Sequence, residues 1–595
     1  MLRRLKNFIL CGIISGSIKG APALDTAIEI RNLTFSYREQ AQVNTQPAAL
    51  NGINLDIARG EFLMIVGPSG AGKTTLANCL NGIIPNMVYG KYDGTVILNG
   101  KEMAKQTVSH MARDIGLVFQ DFENQLFSTN VRLEIAFSPE NFSVPRGEMD
   151  GIIDEILKVT GLEGFDKREP STLSGGQKQR LVIGSVLAGK PQILCMDEPT
   201  TDLDPIGKIE VFNLAGRLRQ SGGITLIVIE HEIEEALNAD RVLMMKNGGI
   251  YKLGPAREIL RDIQAFNECG IMPLQVPAFF HQYKGGKPDT LPLTPKDGLE
   301  AFRQHNIIIN NDKYDDLCRR DREREQSYGD VLIDVKDLSY TYPNGTAALL
   351  STSLQVREGE FLAIVGHNGS GKTTLVKHFN GLLKPTGGKA LVCGKDTVSH
   401  TIFDLGRDVG FVFQNPDHQI FSENIYDEVV FSPKLRGVPD SELKERVTEA
   451  LHAVDLDGYE EEDPFTKSKG IRQRIAVASV LSARPRVIIL DEPTTGLDYV
   501  EQRKMMSLVK RLNETGHTVI IITHTMWVVA EYAHRAAVMN GGRLIKYGAT
   551  REVFSDDDAL RSHSLKTPHI VELSNSLGKT VVSLDEMLYC TEASI

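Results

Sequence analysis

A glycine-rich loop occurs twice in this chain. Gly67-Pro-Ser-Gly70-Ala-Gly72-Lys73-Thr74-Thr75 returns 299 residues later as Gly366-His-Asn-Gly369-Ser-Gly371-Lys372-Thr373-Thr374. Each copy follows a short apolar run, Glu61 to Val66 and Glu360 to Val365, that reads as a buried strand. Each precedes a run, Thr75 to Leu80 and Thr374 to Phe379, that opens a helix. Gly-x4-Gly-Lys-Thr between a strand and a helix is a P-loop. Its glycines let backbone N–H groups curl around phosphates, and the helix N-terminus adds positive dipole. Lys73 and Lys372 are expected to reach the β- and γ-phosphates, and Thr74 and Thr373 to ligate Mg²⁺. One such loop would equally suit a kinase or a GTPase.

The rest of the chain repeats in the same order. Val118-Phe119-Gln120 returns as Val412-Phe413-Gln414, and Met196-Asp197-Glu198-Pro199-Thr200 as Leu490-Asp491-Glu492-Pro493-Thr494, both offset by 294. His231 returns as His524, offset by 293. Ordered motifs at a kept spacing mean a duplicated domain. We place the copies at about 26–264 and 331–556, after an N-terminal extension (1–25) and around a linker (265–330). The linker is rich in Pro and Gly from Met272 to Pro295, then charged from Asp312 to Gln326, which reads as a connector with a solvated face. The tail, 557–595, carries no interpretable motif.

Asp197 and Asp491 end apolar strands, where a carboxylate can hold hydrated Mg²⁺. Glu198 and Glu492 follow at the position from which a carboxylate can polarise the attacking water. His231 and His524 each follow a β-rich run (Thr225 to Ile229; Thr518 to Thr523) and are candidates for sensing the γ-phosphate. Leu173-Ser174-Gly175-Gly176-Gln177 precedes a helical stretch and forms a second anion site, Ser plus glycines at a helix start. The P-loop already has its own helix, so this second site is free to receive a nucleotide held elsewhere.

With that motif the chain resembles the ATP-binding cassette (ABC) family over both halves. The resemblance implies an α/β fold: two P-loop NTPase domains in tandem, each with a mixed β-sheet core and a helical subdomain. It implies ATP hydrolysis, with Ser174, Gly175, Gly176 and Gln177 clamping a nucleotide bound by the opposing domain. It also implies Gln120 and Gln414 as glutamines linking Mg²⁺ to the transporter contact, and Tyr37 and Tyr342 as aromatics stacked on adenine. The second signature departs from the pattern. Lys467-Ser468-Lys469-Gly470-Ile471 keeps Ser468 and Gly470, while Lys469 replaces a glycine and Ile471 a glutamine. A Lys there is expected to crowd a close backbone approach.

The segments after each glutamine match at length, Asp121 to Ser128 against Asn415 to Ser422, and continue to Phe137-Ser138-Pro139 and Phe431-Ser432-Pro433. They are similar to the ATPase subunits of energy-coupling-factor importers for vitamins and transition-metal ions. That likeness implies a transmembrane coupling subunit and a small membrane substrate-binding subunit as partners, at the cytoplasmic face of the membrane. Asp121, Glu123 and Asp417 are acids expected to meet basic residues on such a partner. Two other readings stay open: a soluble twin-cassette ATPase acting on the ribosome, and the ATPase subunit of a sugar importer. A DNA-repair ATPase would need inserted coiled coil, and no heptad run occurs.

Bulk properties fit this reading. A chain of 595 residues exceeds one core and suggests about three to four domains. A formal net charge of -11 argues against nucleic acid as partner. The seven cysteines are scattered with no Cys-x-x-Cys pair, as expected of reduced thiols. The basic, then apolar start (Met1 to Ile14, with Ala21-Pro22-Ala23) imitates a secretory signal, but the need for ATP favours a plain extension. No run reaches the ~18–20 apolar residues of a membrane span.

Overall fold

The structure is a computed structural model that describes residues 25–38, 48–201, 203–220, 223–285 and 290–593. The signal-like N-terminal stretch therefore lies outside the described residues. Each half is built on one six-stranded sheet. In the first half the order is Gly249–Pro255, Arg241–Lys246, Phe62–Val66, Thr225–Ile229, Ile193–Asp197, Ile115–Val118. All neighbours are parallel except the edge hairpin formed by Arg241–Lys246 and Gly249–Pro255. The second half repeats it with Arg543–Ala549, Arg535–Asn540, Phe361–Val365, Thr518–Ile522, Val487–Asp491 and Val409–Val412.

The central strands are continuous apolar runs because both faces are covered. Phe62–Val66, Ile193–Asp197 and Thr225–Ile229 are buried at every position. One face meets a helical layer, and the other meets the P-loop helix and a four-stranded antiparallel sheet containing Thr26–Tyr37. A parallel sheet presents its chemistry at the carboxyl ends of its strands. Phe62–Val66 ends at the P-loop, Ile193–Asp197 at the acidic pair and Thr225–Ile229 just before His231. Three motifs distant in sequence therefore share one sheet edge.

Between the glutamine and the acidic strand, each half inserts helices. Val131–Asn141 and Arg146–Thr160 pack against the signature helix Gly175–Leu187. Ile425–Leu435 and Asp440–Ala453 pack likewise against Lys469–Leu481.

The linker and the tail, read separately from sequence as a connector and an uninterpretable end, fold together. Gln275–Lys284 and Pro295–Gln304 pack on His569–Ser576. Ile307–Ile309 pairs antiparallel with Thr591–Ala593. Phe279 and Phe302 stack with ring centroids 5.6 Å apart, and Phe279, Phe302, Ile570, Val571 and Leu573 share a core with the second half. Neither segment could bury these side chains alone. The charged run is a helix, Asn311–Gln326, on which Leu317 is the one buried side chain. Its solvated reading holds for most of its length, but Asp321 accepts from Arg551 Nε at 2.7 Å.

Candidate functional site

Gly72 and Gly371, with φ of 95° and 102°, lead directly into the P-loop helices Lys73–Leu80 and Lys372–Phe379. A Cβ on Gly72 would come within 2.4 Å of the Ala49 carbonyl oxygen, so only glycine turns the loop there. Lys73 Nζ donates to Gly67 O at 2.8 Å and Pro68 O at 3.1 Å; Lys372 Nζ donates to Gly366 O at 2.7 Å and His367 O at 3.0 Å. Both ammonium groups are thus folded back over their own loops. Burial lowers the pKa of each, against the opposing pull of the nearby carboxylates.

Asp197 and Asp491 are buried at the strand ends, and burial raises each to about 6 despite the Thr74 and Thr373 hydroxyls beside them. Thr373 Oγ1 donates to Asp491 Oδ2 at 3.3 Å. Asp197 Oδ1 is buried without a hydrogen-bond partner. A hydroxyl next to a carboxylate with an unmet oxygen is a donor set that suits a hard divalent cation.

Glu198 and Glu492 adopt φ of 47° and 48°, unusual for side-chain-bearing residues. Their N–H groups donate to Ile229 O and Ile522 O, both at 2.9 Å, which holds each carboxylate in a left-handed turn. His231 Nε2 lies 2.7 Å from Glu198 Oε1, and His524 Nδ1 lies 2.9 Å from Glu492 Oε1. Burial opposes ionisation of both glutamates, but their histidine and lysine neighbours outweigh it and hold each below the usual range. The two sites then differ. Gln120 Nε2 donates to Glu198 Oε2 at 2.7 Å, whereas Glu492 Oε2 is buried without a partner and Gln414 does not reach it.

Tyr37 ends the strand Thr26–Tyr37 and Tyr342 directly follows the strand Val331–Thr341, each hydroxyl 3.0 Å from the hydroxyl of Thr75 or Thr374 on the P-loop helix. Their rings therefore border the loops.

Ser174 caps the signature helix reciprocally. Gln177 N–H donates to Ser174 Oγ at 3.3 Å and Ser174 N–H donates to Gln177 Oε1 at 3.0 Å. Ser468 keeps half of this box, accepting from Ile471 N–H at 3.4 Å, because Ile471 has no acceptor to return. Within the protein itself Lys469 finds room. A Cβ at the matching Gly175 would make only an ordinary 3.5 Å contact with Leu203, so that position has room. Lys469 instead lays its chain over Gly496, with Nζ 2.4 Å from where a Cβ on Gly496 would stand.

Two residues that motif reading passed over join the halves. Asp498 Oδ2 accepts from Ser69 N–H at 2.9 Å, and Asp204 Oδ2 accepts from Asn368 N–H at 2.8 Å. Each P-loop thus meets an aspartate of the opposite half. Asp204 also caps Gly207 N–H at 2.9 Å, and a Cβ on Gly176 would lie 3.0 Å from Gly207 Cα. The intact signature and Asp204 consequently share one surface, turned to the second P-loop. Their signal was present: Leu203-Asp204 repeats as Leu497-Asp498 at the common offset of 294.

The acids after each glutamine are exposed, as expected, and each also has a partner within the chain. Lys178 Nζ donates to Glu123 at 2.6 Å, Arg472 Nε lies 2.7 Å from Asp417, and Asn124 Nδ2 donates to Asp121 at 2.6 Å. Lys178 and Arg472 sit on the two signature helices, so these pairs tie the post-glutamine segments to the signatures. Beside them, Phe127 packs edge-on against Phe137 at 4.5 Å, and Phe421 against Phe431 at 4.8 Å. All four rings are exposed, Phe127 and Phe421 by 61% and 60%.

Two phosphate-cradling loops, each with its own acidic pair and each capped by the other half, define a twin P-loop NTPase. The family profile described as ABC transporter matches residues 50–201 and 349–495. An ABC transporter ATP-binding protein of Caldanaerobacter subterraneus is 58% identical over 568 residues, covering 96% of this chain and 99% of the relative. One from Methanosarcina acetivorans is 37% identical, covering 95% of this chain and 93% of the relative. A solved structure of cbiO1 from Clostridium perfringens, described as part of the ABC transporter complex cbiONQ, is 37% identical. It covers 40% of this chain and 97% of that one, with a TM-score of 0.37. The chain belongs to the ATP-binding proteins of ABC transporters, which are ATPases coupled to transport. Among the described residues, no helix is long and apolar enough to cross a membrane.

Proposed function

We propose that this chain is the energy-coupling ATPase of an importer of the energy-coupling-factor kind, for a vitamin or a transition-metal ion. It works at the cytoplasmic face of the membrane, on a transmembrane coupling subunit and a small substrate-binding subunit. The cassettes are residues 26–264 and 331–556, and the linker and tail join them into one machine. The observation that carries the reading is the repeated pair of exposed rings, Phe127–Phe137 and Phe421–Phe431, beside the glutamine segments. Exposed aromatic pairs at equivalent places in both halves suit two apolar contacts on a partner.

In this reading each P-loop binds ATP through its backbone N–H groups, and Lys73 or Lys372 leaves its loop carbonyls for the phosphates. Thr74, Asp197 and Gln120 would hold Mg²⁺ in one site, and Thr373, Asp491 and Gln414 in the other. When bound, that ion neutralises charge developing on the phosphoryl oxygens. Glu198 and Glu492, kept ionised by their histidines, orient water for attack on the γ-phosphate. Tyr37 and Tyr342 stack on adenine. The intact signature, Ser174 to Gln177, clamps the nucleotide on Lys372, and Ser468 with Gly470 clamps the one on Lys73. Closing of the halves is passed outward through Glu123–Lys178 and Asp417–Arg472 to the aromatic pairs.

The test is purification from membranes with the partners attached. Two membrane proteins, one of them small, should accompany the chain and be lost when Phe127 and Phe137 are both changed to Ala. Recovery with ribosomes, or with a sugar-importer pore, would replace the reading.

A further inference from the structure

A cavity of about 180 Å³ lies between the two halves, and both switch histidines, His231 and His524, reach its wall. Apart from these two histidines, nothing in the catalytic reading uses it. Its apolar surface includes Phe212 from the first half and Tyr499 and Trp527 from the second, with Met272 of the linker. The Tyr499 and Trp527 rings are 5.9 Å apart, at 60°. Arg503 stands 5.9 Å from both ring centroids, outside the wall, and is paired with Glu531.

The polar part of the wall is short of positive charge. Three carboxylates, Glu232, Glu234 and Glu235, meet two ammonium groups, Lys208 and Lys566. Lys208 pairs with Glu232 at 2.5 Å, and Lys566 pairs closely with Glu234. Glu235 is left with Lys566 at 3.9 Å and an Asn238 amide at 3.2 Å. Burial raises the pKa of Glu235, with Glu234 adding to it against Lys566. His569, 3.8 Å from Glu234, is a further basic group nearby, and both switch histidines are committed to Glu198 and Glu492. Aromatic faces beside an under-compensated carboxylate are the surroundings that favour an organic ammonium ion.

We propose that this cavity is an effector site for a small organic cation, one flat apolar ring carrying a single ammonium group. The volume suits a ligand of about this size, since a dry cavity of ~150 Å³ accepts benzene. Because the wall is shared by both halves, an occupant holds them in the present arrangement and opposes their separation after hydrolysis. Bound cation therefore slows ATP turnover. That consequence rests on the proposed ATPase cycle, but binding itself does not.

Trp527 is the only tryptophan of the chain, so selective excitation reports on this wall alone. The experiment titrates the full-length, nucleotide-free protein with phenethylamine, 2-phenylethanol and phenylacetate. Phenethylamine should shift Trp527 emission saturably, phenylethanol more weakly, and phenylacetate not at all. Glu235→Gln should weaken phenethylamine about fivefold and leave phenylethanol unchanged, as loss of one charge contact predicts. Phe212→Leu, on the half opposite Trp527, should weaken both. No saturable shift, equal response to amine and acid, or a Glu235→Gln variant that still prefers the amine would overturn the proposal. A chain that binds amine yet never docks to membranes would sink the transporter reading alone. One that docks and hydrolyses ATP without a Trp527 response would sink this inference alone.

Discussion

Asp498, in the second half, accepts a hydrogen bond at 2.9 Å from the backbone N–H of Ser69, in the P-loop of the first. Asp204 does the same for Asn368 in the opposite direction. Each loop that cradles phosphate is thus partly shaped by the other half. On the proposed reading the two nucleotide sites are composite and, because the signatures differ, unequal.

The first expectation concerns that inequality. On the proposed reading the site of Lys372 and Glu492 faces the intact signature, and the site of Lys73 and Glu198 the degraded one. Pre-aimed donors on a transferring phosphoryl group are each worth ~3–4 kcal/mol, or about 10²–10³ in rate. Glu492→Gln should abolish most turnover, and Glu198→Gln should leave a larger share. Single-turnover hydrolysis with ATP binding measured separately decides it, and a greater loss from Glu198→Gln would reverse the assignment.

The cross-half aspartates should follow the same order. Asp204→Ala removes the acceptor facing the active P-loop, and Asp498→Ala the one facing the weaker. A hydrogen bond to a charged group is worth ~1.5–3 kcal/mol, so Asp204→Ala should slow turnover roughly tenfold or more. Asp498→Ala should cost clearly less. Equal losses in steady-state hydrolysis would mean that the halves fire only together.

Docking should depend on rings more than on acids. Phe127→Ala with Phe137→Ala should reduce membrane recovery severalfold while nucleotide binding, read by fluorescent ATP analogues, stays intact. Glu123→Ala should leave docking in place but uncouple it, since its partner is Lys178 on the signature helix. Loss of membrane recovery in Glu123→Ala with no loss in the double Phe variant would reverse these roles.

Glu230 provides a pH dependence. It is fully buried beneath His231, accepts from the Thr200 hydroxyl at 2.6 Å, and burial pushes it up to about 8. A carboxyl raised on folding contributes stability that is complete below the unfolded value near 4.5 and is lost as pH rises toward 8. Glu230→Gln, which stays neutral, should flatten this decline and gain a few kcal/mol over the parent by pH 8. Denaturant midpoints at pH 5 and pH 8 measure it. A variant equally stable relative to the parent at both would show that Glu230 is ionised throughout.

Much of the site was legible because its residues sit at strand ends and helix starts, where local pattern dictates geometry. Lys73, Asp197 and Ser174 belong to such junctions, and their spacing recurs in the second half. The layer made by linker and tail was not legible. Phe279 and Leu573 pack across nearly half the chain, and the apolar face of Pro295–Gln304 does not by itself name the segment that covers it. The acids after the glutamines show the same limit. Charge at Glu123 and Asp417 is visible in sequence, but Lys178 and Arg472, which neutralise it, arrive only through the packing of the signature helices.

The berth of Lys469 over Gly496 bears on how the two copies differ. At the matching sequence positions the first half has Gly175 and Asp202, so the two halves differ at both. Gly496 has a φ of 72° and leaves the space its neighbour fills, while Ile471 has given up the acceptor that Gln177 uses. Returning Lys469 alone to glycine would empty that space and still leave the cap half made. The second signature differs from the first at Lys467, Lys469 and Ile471, and Gly496 adds a fourth difference beside it. Rebuilding the first signature in the second half therefore takes concerted change at Lys469, Ile471 and Gly496, because no one of them restores it alone.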